Sequence, residues 1–362
     1  MYISEIIINN FRNLERIRYE PARGINILLG KNAQGKTNFL EAIYLLASGS
    51  SFRSVLDRDL IRLGQNCFSI QATYHYLNKK HSISVQYTSG KRKQFTINNK
   101  RYAQTQDRLA AVLFTPDDLY LIKGPPQKRR AFIDNLLKSV SPEYRTSLEN
   151  YEQLLNRRNT LLKGDLTDPG MLRALDHIFS SIAAQITLAR LNLIKILDEL
   201  TLRFYKLLGG SEELQLKYAL TFKLPGGKVN LESIREIMVR VMQEKYIKER
   251  QRKTTLIGPH RDDVNFYLNQ KNARVFASQG QQRNIVVVLK LAELEVFRRM
   301  RGTYPILLLD EILAELDIEK RETILDFLTN SSFQTFMTSV DGSLFNNING
   351  KMVWLEQGRL LE

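Results

Sequence analysis

Two stretches of the chain carry residue types that could do chemistry together. Gly30-Lys31-Asn32-Ala33-Gln34-Gly35-Lys36-Thr37 has the spacing G-x-x-x-x-G-K-[ST], and far downstream Ile306-Leu307-Leu308-Leu309-Asp310-Glu311 is an apolar run ending in two carboxylates. In the first, the glycines let the backbone wrap so that successive N–H groups point at phosphate oxygens. Lys36 brings a charge to the β and γ oxygens, Thr37 offers a hydroxyl to Mg²⁺, and the helix that follows presents its positive end. ATP is the expected ligand, bound along the loop from Gly30 to Thr37. Asp310 is expected to hold Mg²⁺ with Thr37, and Glu311 to polarise a water in line with the γ-phosphate. Adjacent acids repel, and a nearby metal offsets that. Acids are common at surface strand ends, but the glycine loop upstream favours the catalytic reading, with Lys36 and Glu311 as the catalytic pair.

A third stretch, Ser278-Gln279-Gly280-Gln281-Gln282, lies just before a helical run that leads into the acidic strand. A small hydroxyl and a glycine at a helix N-terminus make a second anion site. A serine N-cap gives the same letters. One loop already cradles the phosphates within a subunit, so the second site suggests that Ser278, Gly280 and Gln281 meet the γ-phosphate of a partner's ATP.

The elements that must position these groups can be read in outline. Ile3 to Ile8 and Gly24 to Leu29 are short apolar strands, the second ending in the glycine loop, and Asn38 to Leu46 has helical spacing. From Phe68 the alternation has period two, through Tyr76, then Ile83 to Tyr87, then Phe95 and Ile97. Breaks at Asn78–Lys80, Ser89–Lys93 and Asn98–Asn99 make this an antiparallel meander. After Pro125–Pro126 the pattern turns helical to Leu208, with a break over 164–170, and reads as an inserted helical arm. Met171 to Leu208 is expected as one long helix. Val264 to Leu268 and Arg274 to Ala277 read as a hairpin, Gln281 to Met300 as a helix, and Pro305 to Leu309 as a fully buried parallel strand. Phe333 to Thr338 and Met352 to Leu355 are further strands. The expected domains are 1–125 and 256–362 as two parts of one head, with 126–255 as the arm.

The chain has 362 residues, 53 Lys and Arg against 38 Asp and Glu, and a net charge of +15. That excess favours a polyanionic partner, nucleic acid before an anionic membrane surface. Cys67 is the only cysteine, which excludes an intrachain disulfide and a Cys-based zinc site. No apolar run approaches the roughly 20 residues that a membrane helix needs, and no signal-peptide core opens the chain. A cytoplasmic protein without membrane partners is expected.

The three motifs in this order resemble the ABC-type ATPase heads, in which two heads sandwich two ATP molecules. By that resemblance the glycine loop is the Walker A motif, Ser278–Gln282 the signature, and Leu307–Glu311 the Walker B strand. Asp317 in Ala314-Glu315-Leu316-Asp317 matches the D-loop. Asn10-Phe11-Arg12-Asn13-Leu14 and Lys36 to Ile43 look like the SMC branch, which implies that Arg12 and Asn13 sit near the nucleotide. More specifically, the chain is similar to the RecF family of bacterial recombination mediators. The residues that carry this are Gly49–Arg53, Phe114–Leu119, Gly124–Arg130 with Phe132–Asp134, Gly258–Asp263 and Ser278–Arg283.

The resemblance implies an α/β P-loop head of ABC/SMC type with an antiparallel β subdomain and an inserted helical arm. It further implies ATP and Mg²⁺, weak DNA-stimulated ATP hydrolysis, an ATP-dependent homodimer, DNA binding at gaps or junctions, and RecR and RecO as partners. Three features depart from transporter heads. Gln279 stands where they carry glycine. Thr115 and Ser339-Val340-Asp341 stand where they carry a Q-loop glutamine and a switch histidine. Slow turnover is the expectation. An ABC transporter subunit and a non-catalytic, ATP-switched assembly module share the loop. The missing glutamine and histidine disfavour the first, and Glu311 disfavours the second. Basic clusters at Lys91–Lys93, Lys100–Arg101, Lys128–Arg130, Arg157–Arg158, Lys248–Lys253 and Arg298–Arg301 are individually ordinary solvated faces. Collectively they could line a groove that tracks phosphates without reading base sequence.

Overall fold

The computed structural model describes residues 1–101, 108–164, 169–224, 229–346 and 348–361. The chain divides into two compact units, Met1–Tyr120 with Lys290–Glu362, and Leu121–Leu289.

The first unit is built on two sheets with one helix between them. Strands β1 (Tyr2–Phe11) and β2 (Leu14–Tyr19) form a hairpin, and β3 (Ile25–Leu29) leads into the glycine loop and helix α1 (Lys36–Ser48). The meander follows as β4 (Cys67–Tyr76), β5 (Lys79–Thr88), β6 (Gln94–Ile97) and β7 (Lys100–Arg101). Its antiparallel sheet has the order β2-β1-β4-β5-β6-β7. The first strand of the chain therefore pairs with the meander and does not flank β3. The β4–β5 turn is Leu77–Asn78, both at positive φ, so the strand has already resumed at Lys79.

Strand β8 (Ala111–Phe114) joins the second sheet, which the chain re-enters at β12 (Ile306–Asp310), β13 (Thr335–Ser339), β14 (Gly350–Glu356) and β15 (Arg359–Leu361). The order is β15-β14-β3-β13-β12-β8, parallel throughout except for β15. All five residues of β3, β12 and β13 are buried, as covered parallel strands must be. Helix α1 touches both sheets and is buried on nearly every side, so Phe39, Leu40, Ile43 and Leu46 share one core with Ile6, Ile8, Ile70, Val85, Leu308 and Phe336. The loop at the head of α1 is thereby fixed on a helix that cannot shift without disturbing both sheets.

The second unit opens with α2 (Pro126–Val140), α3 (Pro142–Lys163) and the 39-residue α4 (Pro169–Leu207). The helical run from 127 is interrupted at Ser141-Pro142, which the periodicity alone passes over. Proline cannot sit in a helix interior, and here it occupies the first turn of α3 while the Ser141 hydroxyl accepts from Tyr144 N at 3.1 Å. The expected break over 164–170 lies mostly outside the described residues. After β9 (Leu214–Ala219) come α5 (Leu231–Arg252), β10 (Asp263–Leu268), β11 (Lys271–Asn272), α6 (Ala273–Phe276) and α7 (Gln279–Arg301). The hairpin expected to return along Arg274–Ala277 returns only over β11. The Asn272 side chain accepts from Arg274 N at 3.0 Å and caps the short helix α6 instead. β10 takes β9 as its main partner, which ties the chain beyond 255 to the arm and carries the unit to Leu289.

Buried ion pairs lock this unit. Arg158 of α3 is fully buried and reaches Asp176 of α4 and Glu249 of α5, each at 2.7 Å. Arg190 of α4 holds Asp134 and donates to the Tyr218 hydroxyl and the Pro259 carbonyl. Arg129 pairs with Asp263. Two basic residues of the sequence clusters, Arg129 and Arg158, are thus interior struts, and Arg298 and Arg299 are paired with Glu295.

His260 and Asp262 sit in the same interior with opposite behaviour. The Thr255 carbonyl can only accept, so His260 Nε2 carries the proton, and Nδ1 accepts from the Tyr151 hydroxyl at 2.5 Å. Burial holds the imidazole neutral and pushes its pKa down from 6.5 to about 4. Burial pushes Asp262 up from 3.8 to about 6, against the Thr221 N–H and Tyr218 hydroxyl that favour its charge. Between pH 4 and 6 the folded Asp262 binds more protons than the unfolded chain, so its contribution falls as pH rises. His260 does the reverse between pH 4 and 6.5. The two nearly cancel. Asp262→Asn should therefore leave stability rising with pH over that window and His260→Asn should leave it falling, as measured by denaturant midpoints at pH 4, 5 and 6; parallel profiles for both variants would contradict this assignment.

Candidate nucleotide site

The loop from β3 to α1 is shaped by what surrounds it. Gly30 and Gly35 have φ of 151° and 112°, values that L side chains rarely adopt. A Cβ on Gly30 would lie 2.3 Å from the Leu355 carbonyl oxygen, and one on Gly35 would lie 2.7 Å from Asn13 Oδ1. Both glycines are therefore demanded by backbone conformation and by space. The tight turn at Gln357–Gly358 clamps the loop from outside: Gln357 N donates to Gln34 Oε1 at 2.6 Å and Gly358 N to the Gln34 carbonyl at 3.1 Å. Asn13 Nδ2 donates to the Ala33 carbonyl at 3.1 Å, and Lys31, Asn32 and Ala33 face solvent.

Lys36 is buried, and its ammonium donates to the carbonyls of Gly30 at 2.7 Å and Lys31 at 3.0 Å. It also lies 3.1 Å from Glu311 Oε1. Thr37 donates to Asp310 Oδ1 at 2.9 Å, and the Thr338 hydroxyl donates to the same oxygen at 2.9 Å while accepting from Glu311 N. Thr338 stands opposite Asp310 in the parallel register of β12 and β13. Burial raises the Asp310 pKa, and the neighbouring Glu311 adds to the rise; the Thr37 and Thr338 hydroxyls and the Arg53 charge act against it. Glu311 follows with φ of 54°, a left-handed conformation that costs a non-glycine residue about 1–3 kcal/mol. That kink turns its carboxylate toward Lys36, off the line of the strand.

Behind the loop lies a polar network. Glu41 of α1 is fully buried and takes both Arg12 Nε at 3.0 Å and Arg12 Nη2 at 2.9 Å, a two-pronged pair, together with the Ser51 hydroxyl. Asn38 donates to Asn13 Oδ1 at 2.8 Å and accepts from Arg53 Nη1 at 2.8 Å. Arg53 is half-exposed beside the residue that follows Thr37, and its field reaches Asp310.

The structure thus brings Gly30–Thr37, Arg12, Asn13, Asp310 and Glu311 together in the first unit. Arg12 faces Glu41 and the Asp59 carbonyl rather than the loop, and Asn13 touches the loop directly. Asp317 caps α8 (Ile318–Thr329), accepting from Lys320 N at 3.0 Å and pairing with the Lys320 ammonium. Ser278, Gly280 and Gln281 lie in the second unit, at the N-terminus of α7. There Ser278 N donates to Gln281 Oε1 at 2.8 Å and Gln281 N to Ser278 Oγ at 3.2 Å. The sequence had offered no role for Thr338, Glu41 or Arg53. Thr338 is set by strand register, which no motif encodes, whereas Glu41 and Arg53 stood inside the family-like stretches.

The donor set fits Mg²⁺: a hydroxyl and a carboxylate converge at Thr37 and Asp310. Among the described residues no group of three or more His, Cys, Asp or Glu could hold an ion alone. Phosphate oxygens and water must complete such a shell, as they commonly do for this cation.

Known proteins with this arrangement were found by sequence and by structure. The family described as the RecF/RecN/SMC N terminal domain matches residues 2–358. The DNA replication and repair protein RecF of Symbiobacterium thermophilum is 38% identical over 347 residues, 94% of this chain and 92% of that protein. That of Staphylococcus epidermidis is 36% identical over 375 residues, covering both chains fully. Two solved structures of the recombination mediator protein RecF in the RecFOR pathway, RecF-ATPrS and RecF-ATP, superpose with a TM-score of 0.90 each. Their sequences are 30% and 28% identical, and each comparison covers 99% of this chain and 97% of the other. An Smc head bound to the C-winged helix domain of ScpA, 15% identical with a TM-score of 0.60 over 99% of this chain and 96% of that one, shares the fold.

A buried carboxylate whose charge is disfavoured by its surroundings is retained at a cost to stability. Asp310→Asn keeps an oxygen acceptor for Thr37 and Thr338 and removes the buried charge. Its melting temperature at pH 7 without added Mg²⁺ should equal or exceed that of the native chain, while Mg²⁺-dependent ATP turnover falls by roughly 100-fold or more. A fall of several degrees in melting temperature would show that the charge itself holds β12 and β13 together.

Proposed function

The chain belongs to the RecF family, and on that premise we propose that it is an ATP-dependent DNA-binding protein of recombinational repair. Two copies close around two ATP molecules and reopen on slow hydrolysis, and the closed dimer binds DNA at gaps or junctions and positions recombination partners. The relatives are DNA replication and repair proteins, and the superposed structures carry ATP or ATPrS in their names. Both support the reading.

The observation that carries it is Gly280. Ser278, Gln279 and Gly280 are all exposed at the start of the 23-residue helix α7. Beyond the helix's own backbone, a Cβ on Gly280 would meet only the Ser278 hydroxyl, 4.0 Å away. Glycine is a poorer helix former than alanine, and here the chain's own packing gains no room from it. Close approach by something outside the chain would account for the glycine, and a phosphate held by a second copy fits the hydroxyl and the positive end of the helix.

The geometry supports the following roles. Lys36 exchanges the Gly30 and Lys31 carbonyls for phosphate oxygens, which releases Glu311 from its 3.1 Å contact. Glu311, aimed by its left-handed backbone, then accepts a proton from water. Thr37 and Asp310 would hold Mg²⁺, which when bound would supply charge to neutralise the β and γ oxygens. Arg53, fixed by Asn38, adds a cation on the same side. Ser278 and Gly280 of the second copy complete the γ-phosphate shell. Thr115 and Ser339, in the positions of the absent glutamine and histidine, carry short neutral side chains, which agrees with slow turnover. RecR and RecO are the partners the family suggests. The +15 charge supplies DNA affinity through phosphates.

Light scattering with and without ATP–Mg²⁺ tests the dimer: the native mass should double, and Ser278→Arg should remain single. A native mass indifferent to ATP would reduce the Ser278 segment to a helix cap. Duplex affinity should also fall steeply and log-linearly with salt and change little with base sequence; salt-insensitive binding to one sequence would contradict a backbone-reading groove.

A further inference from the structure

A second cationic site lies in the first unit, away from the glycine loop. Tyr2 of β1 pairs directly with His75 of β4, and their rings stack with centroids 4.7 Å apart and planes within 7°. The connection from β2 to β3 brings Arg23 Cζ to 4.6 Å from the Tyr2 ring centroid. At the start of β14, Lys351 donates to the Glu20 carbonyl at 2.7 Å and lies 4.8 Å from the Tyr19 ring. Tyr2, Arg23, His75, Lys351 and Glu20, with Ser4, Pro21 and Ala22, line a cleft of about 490 Å³. Arg23 precedes β3 and the glycine loop follows it, so the length of that strand, about 16 Å, separates the cleft from the phosphate loop.

The charge around the cleft is unbalanced. Arg23 and Lys351 line it, Lys80 is close enough to act on His75, and none of the three has a carboxylate partner among the described residues. Glu20 is the one acid of the lining, and it offers Lys351 its carbonyl. Burial, with Arg23 and Lys80, holds His75 below its usual pKa, so its ring is a neutral aromatic surface. A layered guanidinium, phenol and imidazole beside an ammonium with no carboxylate partner is a combination suited to single-stranded nucleic acid: a base extending the stack at its end, a phosphate on the cations. A duplex buries its base faces in its own stack and cannot use the rings. The size is in the usual range of about 300–1,000 Å³ for small-ligand clefts, enough for about one nucleotide.

We propose that the cleft formed by Tyr2, Arg23, His75 and Lys351 is a foothold for single-stranded nucleic acid, separate from the ATP-closed groove. The choice of ligand rests on the nucleic-acid function proposed above; the site itself rests on the stack and the unpaired cations. The strand threads past the head at the end of the sheet remote from ATP, so its capture needs no nucleotide.

The full chain without ATP is titrated against a fluorescein-labelled single-stranded oligonucleotide by anisotropy, and against a blunt duplex with ATP–Mg²⁺. His75→Ala and the pair Arg23→Glu/Lys351→Glu should each weaken oligonucleotide binding about ten-fold, the scale of one lost base stack or its equivalent in charge. Both should leave ATP-dependent duplex binding within about two-fold. An oligonucleotide carrying one 5-iodouracil should photocrosslink the native chain at Tyr2 or His75, and this decides the matter if a variant fails to fold. Crosslinks confined to other residues, or native oligonucleotide affinity in both folded variants, would overturn the foothold. Loss of duplex binding by the native chain would instead overturn the proposed function, and the crosslink would still report on the cleft.

Discussion

A carboxylate sits at the buried end of a parallel strand and is held there by two hydroxyls. Asp310 takes Thr37 from the helix that follows the glycine loop and Thr338 from the neighbouring strand, each at 2.9 Å. Three elements far apart in sequence therefore meet on one oxygen. Burial disfavours the negative charge there, which suits a group proposed to hold a divalent cation. The left-handed Glu311 next door carries a second local cost. Such costs are tolerated because α1 is packed against two sheets at once. The core beneath the loop is continuous from Ile6 to Phe336, so the strained residues at its rim cannot relax without unpacking it.

Much of this was legible in the residues themselves. The glycine loop, the apolar strand before Asp310 and the serine before α7 each combine a motif with a context, and the fold keeps all three contexts. What escaped has a physical pattern. The position of β1 depends on which strand it pairs with, and its alternation fits either sheet. Thr338 acquires its role only through parallel register with β12, which is a property of two strands and of neither alone. The return strand expected at Arg274 has β-branched and aromatic residues, but the Asn272 cap turns it into a helix. The Ser141-Pro142 break carried its own signal, an N-cap followed by a first-turn proline, inside a run whose periodicity masks it. The buried Arg129 and Arg158 show why clusters of charge in a sequence are a poor map of a surface: each is matched by carboxylates from helices or strands distant in the chain.

The two compact units divide the chemistry. The first holds the loop, the two acids and the network around Glu41; the second holds Ser278 and Gly280 at the exposed start of α7. Gly280 relieves no contact inside the chain, and Ser278 beside it is exposed while its hydroxyl accepts from Gln281 N. On the proposed function, a site divided in this way would make assembly depend on the γ-phosphate, the group that would link one copy's loop to the other copy's helix. Binding energy would then go into closing the proposed dimer, and hydrolysis would remove the link.

The direct test of that division is a mixing experiment with two variants, each defective in a different half. Lys36→Met disables the loop, and Ser278→Arg blocks the helix start. The variants are labelled with donor and acceptor dyes and combined with ATP–Mg²⁺. If one chain's helix completes the other chain's loop, neither variant self-associates, and energy transfer appears when the two are mixed, because one intact composite site remains. If Ser278→Arg chains associate with one another as readily as native chains, the phosphate is not shared between copies and the account is wrong.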